Sequence, residues 1–171
     1  LIDLYQEYVD IADQHNLPIF LLTPTWKANY SKVKSSNVAK SINTDAVNFL
    51  TKFRDKQNKK DNIKICGLIG PKNDCYSPSE GLSELDSQAF HMWQIEQLAL
   101  AGVDYLIAET LPNIEEALGI AKAMESTKTP YIISFVIDRN GLILDGTKLI
   151  DAIKYIDSHT INKPFGYMVN C

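Results

Sequence analysis

The chain lacks most of the features that assign a function quickly. It has only three cysteines, Cys66, Cys75 and Cys171, an odd number with no C-x-x-C pair. A disulfide framework is therefore excluded, and a reducing, cytoplasmic setting is the simpler expectation. It has no basic excess: 17 Lys and Arg stand against 21 Asp and Glu, a net charge of −4. A nucleic-acid binder needs a concentrated basic face, and the one Lys-rich stretch, Lys52 to Lys64, is diluted by Asp55 and Asp61 and reads as a solvated helix end. No apolar run approaches the ~20 residues of a membrane helix. The longest candidate, Pro18 to Leu22, is strand-sized. No strand is followed by G-x-G-x-x-G, and there is no Walker A loop, so neither a dinucleotide fingerprint nor phosphate-loop chemistry is indicated. An initiator Met and a signal-peptide pattern are also missing, and the chain stops on Cys171, so both ends read as cuts within a longer protein.

What is present is an alternation of short apolar runs with longer amphipathic ones. Apolar residues make up 45% of 171, enough for one domain, 1–171, with a real core. Leu1 to Gln14 reads as a helix with Leu1, Leu4, Tyr5, Tyr8, Ile11 and Ala12 on one stripe. Further helices are expected within Thr44 to Asn58, from a Ser83-x-x-Asp86 cap to Ala101, from an Asn113-x-x-Glu116 cap through Met124, and from about Thr147 to Ser158. Strands are expected to start near 18, 63, 103, 130 and 164. The order is αβαβαβαβαβ, and near-continuous apolar strands imply a parallel sheet covered on both faces. Asn29 to Asn43 is the least structured stretch. Two architectures fit: an open doubly wound sheet of five strands, or part of an eight-stranded (β/α) barrel.

In both, ligands sit at the C-terminal ends of the strands. Those ends carry Thr23-Pro-Thr-Trp-Lys-Ala-Asn29, Gly67-Leu-Ile-Gly-Pro71, Ala108-Glu-Thr-Leu-Pro112, Ser134 and Val169-Asn-Cys171. Glu109 follows a strand and precedes a helix cap. It is either a solvated carboxylate or a holder of a substrate ammonium. Trp26 either stacks in a pocket or joins the core. Cys171 is a small buried hydrophobe, a metal-ligating thiolate or a nucleophile. Cys66, mid-strand, reads as core, and Cys75 as a partly exposed loop residue. His15 and His159 fall near helix C-termini, where an imidazolium complements the dipole, and His91 reads as structural.

Taken together, these segments resemble a family. Gly102-Val-Asp-Tyr-Leu-Ile-Ala-Glu-Thr-Leu-Pro-Asn-Ile-Glu-Glu-Ala117 resembles the fourth strand and helix of the homocysteine S-methyltransferase domain. Ser134-Phe-Val with Asp145-Gly146-Thr147 resembles its fifth strand and next helix start. Gly166-Tyr-Met-Val-Asn-Cys171 resembles its sixth-strand motif, Gly67-Leu-Ile-Gly-Pro71 its third-strand turn, and Thr23-Pro-Thr-Trp26 its second-strand end.

The resemblance implies an α/β fold, a (β/α)8 TIM-type barrel of which this chain carries roughly strands two to six. It implies zinc-dependent methyl transfer from a small methyl donor to the thiol of homocysteine, giving methionine. Cys171 would be one zinc ligand, with two further Cys ligands beyond this chain. Glu109 would hold the homocysteine amino group, with Trp26, Thr110 and Asn170 also lining the substrate site. The donor stays open among a methylfolate, S-methylmethionine, S-adenosylmethionine and betaine. A non-catalytic α/β module that binds a small amino acid, or another barrel enzyme sharing only the fold, are the competing readings.

Overall fold

The computed structural model describes residues 1–170. Five strands run parallel in the order in which they occur in the chain: β1 (Ile19–Leu22), β2 (Ile63–Ile69), β3 (Tyr105–Leu111), β4 (Tyr131–Val136) and β5 (Gly166–Asn170). Six α-helices accompany them: α1 (Ile2–Gln14), α2 (Tyr30–Lys34), α3 (Ile42–Arg54), α4 (Glu84–Leu100), α5 (Ile114–Ser126) and α6 (Leu149–His159).

Sequential order decides between the two expected architectures. A doubly wound sheet reverses its strand order at a switch point, which sends helices to both faces. Here each strand pairs with the next one in the chain, so right-handed crossovers lay every helix on the same face. The sheet curls into a half-barrel of five parallel strands.

Burial follows this curl. On the helix side, Leu21, Ile63, Ile65, Ile69, Leu106, Ala108, Ile133 and Phe135 merge with apolar residues of α3 to α6 into one core. The alternate residues Cys66, Ile107 and Ile132 form a smaller cluster on the inner face, against which Leu22 and Tyr105 pack. Near the strand starts, Tyr105 stacks between Phe20 and Phe165, each ring centroid 5.1 Å from its own. The interior strand β4 is buried at all six positions, whereas β5, at one edge, is exposed at Met168 and Val169.

Side chains begin α4 and α5 as their spacing predicts. Ser83 Oγ accepts from Asp86 N, and Asn113 Oδ1 accepts from Glu116 N. The stretch 29–43 is more ordered than expected. Asn29 caps α2 by accepting from Lys32 N, and Val33 is buried beneath it. Cys75 also differs from expectation: it is buried, because its loop folds back onto the body of the protein.

The tightest helix contact is α4 on α5. A Cβ added to Gly119 would lie 2.3 Å from the Glu84 carbonyl oxygen and 2.5 Å from Ser87 Cβ. The helices must part to admit it. Gly119→Ala is expected to destabilise the protein by about 1–3 kcal/mol, although Ala alone favours helix by roughly 1 kcal/mol over Gly. Thermal unfolding should show a midpoint several degrees lower. An unchanged midpoint would mean that the contact is slack.

Candidate active site

The residues expected at the strand ends come together at that end of the sheet. Past the last residue of β1, two threonine hydroxyls extend its pairing with β2. Leu68 N donates to Thr23 Oγ1 (2.9 Å), and Thr25 Oγ1 donates to Leu68 O (2.7 Å). The hydroxyls lie 2.7 Å apart. Since the Thr25 proton is committed to Leu68, Thr23 donates to Thr25. Both threonines are buried, and the closed ring satisfies peptide groups that would otherwise be orphaned.

This ring delivers Trp26. Its carbonyl accepts from Gly70 N (2.9 Å), and its indole lies where a residue-70 side chain would be: a Cβ there would fall 2.3 Å from Nε1. The glycine of the Gly70-Pro71 turn is thus required by close approach. Lys27 Nζ sits 4.5 Å from the Trp26 ring and donates to Pro71 O (2.6 Å) and Asn73 O (2.7 Å). Burial pulls the Lys27 ammonium below its usual range.

Trp26 Nε1 donates to Thr110 Oγ1 (3.1 Å), and Thr110 N donates to Asn170 Oδ1 (3.0 Å). Ser134 Oγ donates to the same Asn170 oxygen (2.6 Å). One chain of hydrogen bonds therefore links the ends of β1, β3, β4 and β5. At its centre Thr110 has φ of +62°, a left-handed conformation that is costly for a β-branched residue. The β3–β4 register shifts between Ala108 and Leu111, where this turn interrupts the ladder. The strain is held by three hydrogen bonds, the third from Thr110 Oγ1 to Glu109 O (2.5 Å).

Glu109 precedes this turn. Ala108 belongs to the helix-side core, so strand alternation puts the Glu109 side chain on the inner face with Ile107. The Glu109 charge acts on the Cys66 thiol, which lies on that face. Burial raises the Glu109 pKa above the ordinary carboxylate value. No hydrogen bond or ion pair reaches its carboxylate among the described residues. A half-buried anion without a partner is unfavourable alone and suited to a cation from outside.

Metal ligation is another matter. Among the described residues, no three His, Cys, Asp or Glu side chains gather to hold an ion. Burial, then Asp104 and Glu109, push the Cys66 thiol up to about 12, which disfavours the thiolate that a metal needs. The described residues therefore do not furnish a zinc site, and Cys171 lies outside them. His15 and His159 end their helices as expected. His91 is fully buried against Glu116, a pairing not anticipated from the sequence. The acid three residues after Asn113 suggested only a local cap.

Comparison with known proteins agrees with this fold. The family described as homocysteine S-methyltransferase matches residues 1–171. Homocysteine S-methyltransferase YbgG of Bacillus subtilis (strain 168) is 30% identical over 97 residues, which cover 56% of this chain and 30% of that protein. Among solved structures, the metallated form of the homocysteine methyltransferase MmuM from Escherichia coli superposes with a TM-score of 0.79 at 22% identity, over 89% of this chain and 57% of that one. Its apo form gives 0.71 at 23% identity, over 89% and 56%. At that identity the likeness speaks for the fold, and the chain spans less than two thirds of the length of these relatives. With a family match over its entire length, the chain belongs to the homocysteine S-methyltransferase family.

Proposed function

We propose that this chain forms the amino-acid-binding part of a zinc-dependent homocysteine S-methyltransferase, which moves a methyl group from a small donor to the homocysteine thiol and yields methionine. The observation that carries the reading is Glu109: a half-buried carboxylate on the inner face, without a partner among the described residues, beside a polar network at the strand ends. An α-amino acid brings the complementary ammonium, and a charge-assisted hydrogen bond to Glu109 fixes its orientation. The Trp26–Thr110–Asn170 network holds the neighbouring wall. Asn170 Oδ1 is occupied by Thr110 and Ser134, so its Nδ2 remains to donate to the substrate.

In the reaction the thiol loses its proton and the sulfur attacks the methyl carbon. The new S–C bond forms as the donor leaves with the electron pair of the bond that breaks. Zinc, when bound, supplies a lowered thiol pKa and a fixed direction of attack. Cys171 is assigned one thiolate of that site, with two further Cys ligands from beyond these residues. Orientation is the contribution of this chain: a substrate held at its amino end presents its sulfur along a defined line.

The architecture supports completion of a (β/α)8 barrel, with this chain as strands two to six. The outer edges of β1 and β5 have no partner strand among the described residues, and further strands would pair there. Full-length protein purified under reducing conditions is expected to hold about one zinc per chain and to form methionine from homocysteine when a donor is supplied. Zinc-free protein that binds homocysteine without turnover would replace the enzyme by a non-catalytic amino-acid-binding module.

A further inference from the structure

Glu116 is fully buried between α4, α5 and the loop that follows β2. One carboxylate oxygen accepts from Lys72 N (2.8 Å) and faces His91 Nε2 at 3.0 Å; the other accepts from Leu82 N (3.3 Å). Burial raises the carboxyl pKa, but the hydrogen bonds from His91, Lys72 and Leu82 outweigh it and keep Glu116 below the usual carboxylate range. An ionised Glu116 can only accept, so His91 Nε2 carries the proton and donates. His91 Nδ1 is buried and has no hydrogen-bond partner among the described residues.

The two peptide groups held by Glu116 stand at opposite ends of the loop 71–82. One end follows Gly70, whose N–H holds the Trp26 carbonyl and whose missing side chain admits the indole. The same end presents Pro71 O and Asn73 O to Lys27, which lies over the Trp26 ring. At the other end Asn113 Nδ2 donates to Pro78 O. The loop is thus fastened from outside by Glu116 and from inside by Lys27, and Trp26 is fixed against it.

We propose that the Glu116–His91 pair is a positioning device for the active site, holding the β2–α4 loop so that the Trp26 indole meets Thr110. Neither residue touches substrate in this scheme. The inference rests on the methyltransferase reading only for its effect on turnover. Its structural part stands alone.

The test uses the full-length protein with 15N-labelled tryptophan, the Trp26 indole N–H resonance being assigned by its loss in Trp26→Phe. Glu116→Gln places an amide N–H among donors, and His91→Leu removes one donor. Both are expected to shift the Trp26 indole resonance, speed its solvent exchange and lower kcat/KM roughly tenfold. His91→Gln puts a donor near the lost imidazole nitrogen and should restore both properties toward the wild type. A purely structural pair would lower thermal stability in these variants and leave the indole resonance in place, and that result overturns the proposal. Should Glu116→Gln fail to fold, the two His91 variants decide: equal, wild-type indole resonances sink the idea. A shifted resonance in a protein whose wild type makes no methionine would keep the positioning role and discard the methyltransferase reading.

Discussion

Glu109→Gln is expected to raise the KM for homocysteine roughly 10- to 30-fold with a smaller change in kcat, because it removes a charge-assisted hydrogen bond worth about 1.5–2 kcal/mol at a half-buried position. The acid limb of the pH profile carries a second signature. Burial raises the Glu109 pKa, so its negative charge is lost at a higher pH than for an ordinary carboxylate. Substrate affinity should fall as pH drops through that raised value, and the Gln variant should lack this limb. Stability should move the opposite way. A carboxylate with a raised folded-state pKa binds more protons folded than unfolded, so stability falls as pH rises from the ordinary carboxylate pKa through the raised one. Above both, the full cost of the unpaired charge remains. Glu109→Gln should therefore melt slightly higher than wild type at neutral pH without substrate. A variant with unchanged KM would remove Glu109 from the ammonium site.

Cys171→Ala in the full-length protein should abolish zinc binding and turnover together. Three thiolates hold the ion in the proposed site, and a two-thiolate remnant neither binds it tightly nor orients a substrate sulfur. Two readouts are needed. Metal analysis should fall from about one zinc per chain to nearly none, while thermal unfolding should show a folded protein. A folded Cys171→Ala protein that kept its zinc and full turnover would sink the ligand assignment. Cys66→Ala offers the contrast. Its thiol is buried and held protonated by its surroundings, so the substitution should leave the zinc content unchanged.

Much of the fold was legible because the strands are continuous apolar runs and two of the helix starts carry the side-chain caps that their spacing predicts, at Ser83 and Asn113. The choice between barrel and doubly wound sheet was not, since composition is blind to strand order. The site was legible in part. Reading strand ends led to Glu109 and Trp26, and the family resemblance added Thr110 and Asn170; the structure places all four around one end of the sheet. Their linkage was invisible, because it depends on the left-handed turn at Thr110 and on the close approach of Trp26 to Gly70. The His91–Glu116 pair escaped for a different reason. Its partners lie 25 residues apart on two helices, and Glu116 already had a local explanation as the third residue of a capped helix. The short helix after Asn29 was missed because five residues carry too little periodicity to register.

The unbroken strand order also governs how this half-barrel comes into being. Each β–α–β unit finds its partner in the unit just made, so the sheet can grow one strand at a time as the chain emerges from the ribosome. Asn170 arrives on the last of these strands. Until it docks, the Thr110 N–H has no acceptor and the strained turn beneath Glu109 has lost one of its restraints. The hydrophobic layers are then products of early synthesis, whereas the hydrogen-bond network around Thr110 is complete only when the fifth strand pairs with the fourth.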